Sequence, residues 1–251
     1  MRRWFPIALI VLLSACAGDG KDKKFEDDKP VDILYNEAAD AEAEGSLKKA
    51  AKLFEEVERQ HPYSTWAKQA QIMYPYVLYQ DGQYDEAVIA IDRYLDLHPA
   101  SAEAPYALYL RALCSYEQIT DVARDQEMTQ KAMADLNQVV RRYPNTAYAR
   151  DAGLKIDLTK DHLAGKEMEI GRFYLRQRNY IAAINRFRNV IRDYQTTSHT
   201  PEALYRLTDA YLAIGLTAEA KRNAAVLGYN YPGSDWYQSS WDALRKAGLT
   251  Q

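Results

Sequence analysis

Residues 50 to 62 read A-A-K-L-F-E-E-V-E-R-Q-H-P. Ala50 is followed by Phe54 four positions later and by Val57 seven positions later. These offsets place the three side chains on one face of an α-helix. Pro62 comes twelve positions after Ala50, and proline cannot continue a helix. The stretch therefore predicts an amphipathic helix with a defined end.

The same spacing recurs in four further segments. They are Ala87-Ile91-Tyr94-Pro99, Ala132-Leu136-Val139-Pro144, Ala183-Phe187-Val190-Gln195 and Ala220-Ala224-Leu227-Pro232. The spacing is typical of the second helix of a tetratricopeptide repeat, where alanine allows two helices to approach closely. Gly45, Gly82 and Gly215 lie five residues before the alanine of their segments, where a turn between helices favours glycine. We predict an all-α superhelix of five helix pairs.

The distances between the repeat alanines are unequal, at 37, 45, 51 and 37 residues. The step of 45 residues places eight extra residues between the two helices of the third pair. The step of 51 residues adds fourteen before the fourth pair, which is about four turns at 3.6 residues per turn. We predict one long helix from Ala147 to about Gln177. It divides the repeats into an N-terminal half, residues 31–146 with repeats one to three, and a C-terminal half, residues 147–251 with repeats four and five.

The end of the chain, residues 231–249, reads Y-P-G-S-D-W-Y-Q-S-S-W-D-A-L-R-K-A-G-L. A repeat superhelix needs its last apolar face covered. This stretch predicts a short capping helix, with Trp236, Trp241 and Leu244 as the covering side chains.

The chain begins M-R-R-W-F-P-I-A-L-I-V-L-L-S-A-C. Two arginines, a short apolar run and small residues are typical of a secretory signal. The run is too short to remain as an anchor, because a spanning helix needs about 20 apolar residues. Residues 13 to 16, L-S-A-C, resemble the processing site of bacterial lipoproteins, so we predict removal of residues 1–15 and acylation of the Cys16 thiol. The alternative is an ordinary signal peptide whose cleavage site precedes a cysteine.

Residues 16–30 are charged and almost without apolar side chains, which predicts a flexible tether. Ala17 rather than Asp follows the lipidated cysteine, and under the enterobacterial sorting rule this favours the outer membrane. We therefore expect a lipid-anchored protein on the periplasmic face of that membrane. Removal of the signal leaves 30 of the 32 basic residues against 35 acidic ones. No basic excess remains to indicate nucleic acid binding.

Residues that could support catalysis or metal binding are sparse. The four histidines, His61, His98, His162 and His199, form no motif of a metalloenzyme, and no nucleophile or phosphate-binding motif is present. Cys114 lies in an apolar stretch, where an unpaired thiol is expected to be a small buried hydrophobe. We predict a protein without enzymatic activity, cofactor or metal.

Tyrosine is the residue type that points to a binding surface. The chain has 20 tyrosines, and the first helices of stacked repeats line a concave groove. The predicted groove residues are Tyr35, Ile72, Tyr76, Tyr79, Tyr106, Tyr109 and Tyr116. Tyrosine offers contact area and a hydroxyl at low entropic cost, which suits the binding of extended peptides. Packing of these tyrosines between helices is the alternative, and the sequence favours neither.

Four longer stretches are more specific than the repeat pattern. They are A-I-D-R-Y-L-D-L-H-P (90–99), R-R-Y-P-N-T-A-Y-A-R-D-A (141–152), K-D-H-L-A-G-K-E-M-E-I-G-R-F-Y (160–174) and A-A-I-N-R-F-R-N-V-I-R-D-Y (182–194). Together with the lipoprotein signal, the repeats and the long helix, they make the chain resemble the BamD (ComL) family of outer-membrane β-barrel assembly lipoproteins. The form H-L-A-G-K-E-M-E is similar to alphaproteobacterial members in particular. One departure is Gln195, where the family usually has proline.

The resemblance implies a scaffold of the β-barrel assembly (BAM) complex. Its partners would be a periplasmic POTRA domain of BamA, the other BAM lipoproteins and unfolded outer-membrane β-barrel proteins. The N-terminal half would recognise targeting segments of those substrates, and the C-terminal half would dock on BamA. In the family motif A-x-x-N-R the arginine points to the docking surface, which here implicates Asn185 and Arg186; an intramolecular pair of Arg186 with Glu167 or Glu169 is the alternative. A different repeat lipoprotein of the envelope, similar to a pilotin or a division coordinator, would share the anchor and repeats but lack these stretches.

Overall fold

The computed structural model describes residues 29–122 and 124–249. Cys16, the predicted signal and the tether up to residue 28 lie outside the described residues. Within the described ranges the chain is all-α, without a strand, as predicted. Eleven helices follow one another there: α1 (Val31–Ala43), α2 (Leu47–Gln60), α3 (Thr65–Gln80), α4 (Tyr84–Leu97), α5 (Ala104–Tyr116), α6 (Glu127–Arg142), α7 (Ala147–Arg176), α8 (Tyr180–Asp193), α9 (Thr200–Ala213), α10 (Thr217–Asn230) and α11 (Asp235–Lys246). None of these helices is both long and apolar enough to cross a bilayer.

From α1 to α10 each helix packs mainly against the helices before and after it in the chain, which is the arrangement of a solenoid. The repeat alanines lie where these helices approach each other. Ala50, Ala87, Ala132, Ala183 and Ala220 are all 0% exposed. The bulky residues four positions later, such as Phe54 and Phe187, are also fully buried. The spacing that predicted the helices therefore also identifies the core.

The short turns within the first, second, fourth and fifth helix pairs each contain a residue in the left-handed conformation. Gly45, Gly82 and Gly215 have φ values of 75°, 74° and 79°, a region that glycine enters without steric cost. In the fourth pair the same position, five residues before the repeat alanine, is Arg178 with φ 58°. The turn geometry is thus kept even where a residue with a side chain must adopt it.

The long helix and the insertion lie where the sequence predicts them. Helix α7 runs from Ala147 to Arg176, and residues 117–126 separate α5 from α6. The first part of α7 contributes Ala152 and Ile156 to an apolar cluster with α5 and α6. Its second part contributes Ala164 and Met168 to a cluster with α8 and α9. One helix therefore belongs to two successive parts of the core.

Helix α11 caps the last helix pair, since it packs against α9 and α10. Leu244 is 6% exposed and joins the cluster of Ala220 and Ala224. The Trp236 ring stacks on Tyr205 at a centroid distance of 5.5 Å. Trp241, by contrast, remains 48% exposed. Trp241 lies beside Ala224 and Leu244 but covers the end of the core less completely than predicted.

Cys114 is fully buried in the cluster of the N-terminal helices, and burial raises the pKa of its thiol to about 12. We expect the folded lipidated chain to show no fast-reacting thiol toward a disulfide reagent at about pH 8, near the usual thiol pKa, and one thiol after unfolding. A fast-reacting thiol in the folded protein would mean either that Cys114 is accessible or that Cys16 carries no lipid. Mass spectrometry of the labelled peptide separates these two explanations.

Candidate partner-binding surfaces

Tyrosines of three helices meet in one continuous patch, which we call the tyrosine surface. It comprises Tyr76 and Tyr79 of α3, Tyr106, Tyr109 and Tyr116 of α5, and Tyr148 of α7. The rings of Tyr106 and Tyr109 lie 5.6 and 5.5 Å from the ring of Tyr148. All six side chains are partly buried and partly exposed. They therefore both pack between helices and remain available to a partner.

Charged groups lie between the rings of the tyrosine surface. Tyr79 Oη donates a hydrogen bond to Glu117 Oε1 at 3.4 Å, and Tyr109 Oη donates one to Asp151 Oδ2. The Lys155 ammonium lies 5.1 Å from the centroid of the Tyr116 ring, within the range of a cation–π contact. The surface thus combines apolar ring faces with oriented hydroxyls and both signs of charge.

Three phenol groups of this surface, those of Tyr79, Tyr106 and Tyr109, have raised pKa values and stay neutral at physiological pH. Burial and the neighbouring Glu117 carboxylate raise the pKa of Tyr79 to about 12. Burial also raises the pKa of Tyr106, and Tyr76, Tyr148 and Tyr79 add to that effect. For Tyr109 burial is again the first cause of a raised pKa, followed by the hydrogen bond to the Asp151 carboxylate. Each of these three hydroxyls can therefore donate a hydrogen bond to a bound peptide, and those of Tyr79 and Tyr109 donate to a carboxylate in the unbound chain.

Two of the predicted groove residues lie elsewhere. Ile72 is only 8% exposed and belongs to the N-terminal core cluster, so the prediction that it lines the groove is wrong. Tyr35 packs against Phe54 and Trp66, with ring centroids 5.4 and 4.8 Å away. Ile72 is thus buried, whereas Tyr35 is partly exposed but packs against other rings than those of the tyrosine surface.

Tyr148 belongs to the tyrosine surface but was not among the predicted groove residues. Counting back from the fourth repeat alanine, Ala183, places a regular first helix at Ala164. Tyr148 therefore falls in the extra turns of α7 rather than in a repeat position. The predicted length of α7 was the signal that could have identified Tyr148, because the first turns of this long helix have to pack beside α5.

Arg186 forms the intramolecular pair that was the alternative to partner binding. Its Nη1 lies 3.2 Å from Glu167 Oε1, and Asn189 Nδ2 donates to Glu167 Oε2 at 2.9 Å. The Arg186 side chain is nevertheless 39% exposed, against 18% for Glu167. The neighbouring Asn185 is exposed. The pair therefore fixes the guanidinium on α8 and leaves part of it accessible.

Three of the four histidines make separate polar contacts, whereas the buried Nε2 of His162 has no hydrogen-bond partner among the described residues. His61 Nε2 lies 2.7 Å from the carbonyl oxygen of Lys29, and His98 Nε2 lies 2.7 Å from Gln71 Oε1. His199 Nε2 is 3.6 Å from Asp161 Oδ2. In the part of the chain that the structure describes, no group of three or more His, Cys, Asp or Glu side chains is placed to hold a metal ion.

The family model of the outer membrane lipoprotein YfiO matches residues 27–227 of this chain. A curated protein of Caulobacter vibrioides, named outer membrane protein assembly factor BamD, is 51% identical over 247 residues, which cover 97% of this chain and 81% of that protein. The chain belongs to the BamD family. The BamD protein of Rickettsia prowazekii is 45% identical over 95% of this chain and 96% of its own length. Among solved structures, a tetratricopeptide protein of Thermus thermophilus is 18% identical, with a TM-score of 0.40 over 86% of this chain and all of that one.

The two halves of this BamD-family chain differ in charge. Residues 31–146 carry 19 acidic and 11 basic side chains, a net charge of −8. Residues 147–251 carry 11 acidic and 15 basic side chains, a net charge of +4. The tyrosine surface lies mostly in the acidic half, whereas Arg186 lies in the basic half. The two candidate surfaces therefore favour partners of different charge.

Proposed function

We propose that this chain is a non-enzymatic scaffold of outer-membrane protein assembly, which binds BamA and receives unfolded outer-membrane β-barrel proteins. A diacylglycerol on Cys16 anchors it to the periplasmic face of the outer membrane, beside the other BAM lipoproteins. The observation that carries the proposal is the tyrosine surface in a chain that is 51% identical to a protein named outer membrane protein assembly factor BamD.

The tyrosine surface suits substrates that share little sequence. Ring faces provide apolar contact with many side chains, and neutral hydroxyls provide hydrogen bonds to an exposed backbone. Tyrosine also loses little rotamer freedom on binding. Unfolded β-barrel proteins expose alternating apolar residues and unpaired backbone groups, so their segments offer the partners that this surface can use.

The basic half suits a folded partner that presents a carboxylate. Arginine can bind a carboxylate through two parallel hydrogen bonds. Arg186 Nη1 donates to Glu167, and Glu167 is itself held by a hydrogen bond from Asn189 Nδ2. This arrangement orients the guanidinium and reduces the conformational entropy that Arg186 would lose when a partner binds. The exposed part of Arg186 is the candidate contact with a POTRA domain of BamA.

This assignment predicts that Arg186→Glu weakens the binding of purified BamA periplasmic region at least tenfold. The substitution replaces an attractive contact with repulsion of the partner carboxylate, and loss of a charged contact in an interface commonly costs more than about 1.4 kcal/mol. Isothermal titration or co-purification measures the effect. Arg176→Glu, at the exposed end of α7, is the matched control and should leave binding unchanged.

A second variant separates partner contact from intramolecular support. Glu167→Gln removes the charge that pairs with Arg186, while the amide oxygen of glutamine can still accept the hydrogen bond that orients the guanidinium. If Arg186 contacts BamA, Glu167→Gln should bind as well as the unmodified chain or more tightly. Equal loss of binding in Glu167→Gln and Arg186→Glu would remove Arg186 from the interface and assign it to the packing of α7 against α8.

A further inference from the structure

A groove runs between α8 and α10, and side chains of α9 form its floor. Its apolar lining consists of Ile181, Ile184, Ile191, Leu207, Tyr211, Ile214 and Leu216. Ile181 and Leu216 stand on opposite sides of the groove and are 61% and 49% exposed. Burial of this aliphatic surface by a partner would be favourable by about 25 cal/mol for every Å² removed from water. The groove thus has the apolar character of a docking site.

The polarity of the groove changes along α8. Arg188 lies two helical turns beyond Ile181, which is about 10 Å along the helix axis. Arg188 is exposed and lines the groove, and it forms no ion pair or hydrogen bond with any other residue in the described ranges. The other arginine of this wall, Arg192, is bound to Asp193 at 2.7 Å. On the opposite wall Glu219 is paired with Arg222. Arg188 is therefore available to form an ion pair with a carboxylate of a bound partner.

We propose that this groove binds a segment of a partner polypeptide that carries aliphatic side chains at one end and a carboxylate about 10 Å away at the other, the spacing of two helical turns. The aliphatic side chains lie between Ile181 and Leu216, and the carboxylate pairs with Arg188. The net charge of +4 on residues 147–251 favours such an acidic segment. A second copy of this chain is disfavoured as the occupant, because a two-fold contact between the two grooves would place like charges opposite each other. The proposal rests on the proposed function only in that the C-terminal half docks another polypeptide.

The groove is separate from the Arg186 contact. Consecutive residues of a helix point in directions about 100° apart. Asn185 lines the groove, whereas Arg186 turns toward Glu167 on α7. A partner that occupies both would contact α8 on two sides, and each side can be tested by its own variants.

Photocrosslinking in the assembled protein tests the proposal. A photoreactive residue is placed at Ile181, Leu216 or Arg188 of the full lipidated chain, irradiated in native membranes, and the crosslinked peptides are sequenced by mass spectrometry. We expect positions 181 and 216 to mark aliphatic residues of one partner segment, and position 188 to mark an acidic part of the same segment. Position 89 is the matched control, since Ile89 on α4 is also exposed, at 71%, and should give no crosslink to that segment. Crosslinks only to lipid, only to another copy of this chain, or to no partner would overturn the proposal.

Charge exchange supplies the second measurement. Arg188→Glu should weaken binding of a peptide with the mapped sequence about tenfold, and replacing the mapped carboxylate by lysine should restore it. Lys52→Glu on α2, also an exposed cation, should change nothing. Weakening without rescue would overturn the groove assignment. If the mapped segment has this chemistry but does not come from BamA, the groove stands, and BamA docking is then decided by the Arg186→Glu variant alone. If Arg186→Glu releases BamA while the groove variants keep all their binding, the groove fails alone.

Discussion

Replacing Phe187 with alanine should lower the free energy of unfolding by about 3–5 kcal/mol, the usual cost of removing a fully buried aromatic ring. Phe187 is 0% exposed and lies in the cluster that joins α7, α8 and α9. The ring packs directly on the backbone of Gly171. A methyl group added at Gly171 would come closer than 3.0 Å to three atoms of that ring. Glycine at this position is therefore a requirement of helix packing.

The contact between these two residues predicts that the effect of Gly171→Ala on stability changes sign when the Phe187 ring is removed. Gly171→Ala alone should destabilise the chain by about 1–3 kcal/mol, because the added methyl group overpacks the core. In a Phe187→Ala background the same change should stabilise by up to about 1 kcal/mol, since alanine is the better helix former. Gly153 lies on the same helix with open space around it, so Gly153→Ala should stabilise in either background. Denaturant unfolding followed by circular dichroism measures all four effects; stabilisation by Gly171→Ala alone would contradict the packing.

Combined replacement of Tyr76, Tyr79 and Tyr109 by alanine should weaken binding of an unfolded outer-membrane β-barrel protein at least a hundredfold. Each ring that acts as a binding hot spot contributes about 2 kcal/mol or more, and three of them act on one surface. The probe is a fluorescently labelled β-barrel protein diluted from urea, and anisotropy reports its binding. The melting temperature of each variant is measured in parallel.

The control for the tyrosine variants is a chain with Tyr63→Ala and Tyr229→Ala. These tyrosines are 101% and 88% exposed and lie outside the tyrosine surface, so their loss should change neither affinity nor stability. If the triple variant loses stability but binds as tightly per folded molecule, the tyrosines serve packing alone. That outcome would remove the substrate-binding part of the proposed function.

The sequence predicts the helices and their buried faces well for a physical reason. The spacing of Ala183, Phe187 and Val190 describes one face of one helix, and a face of that character is stable only when it is covered. The lengthened α7 follows from the same reasoning, because whole added turns preserve the direction of the apolar face. Arg178 was not predictable, since its left-handed conformation is imposed by the helices on either side.

Exposure of individual side chains was less predictable than their position on a helix. Ile72 and Tyr76 lie four residues apart on α3, yet Ile72 is buried and Tyr76 partly exposed. Trp241 and Leu244 differ in the same way on α11. Periodicity defines which side of a helix faces the neighbouring helices, but the neighbours decide how much of each side chain they cover. The residues of a binding surface can therefore be identified from the three-dimensional structure but not from the sequence pattern alone.

Purification of the lipidated chain with its partners tests the central claim most directly. The chain, tagged at its C-terminus, is extracted from its native membranes in mild detergent, captured and analysed by mass spectrometry. We expect BamA in an amount comparable to the chain itself, a diacylglycerol on Cys16, and loss of BamA in the Arg186→Glu variant. Recovery of a secretin in place of BamA, or of the chain without any envelope protein, would contradict the account.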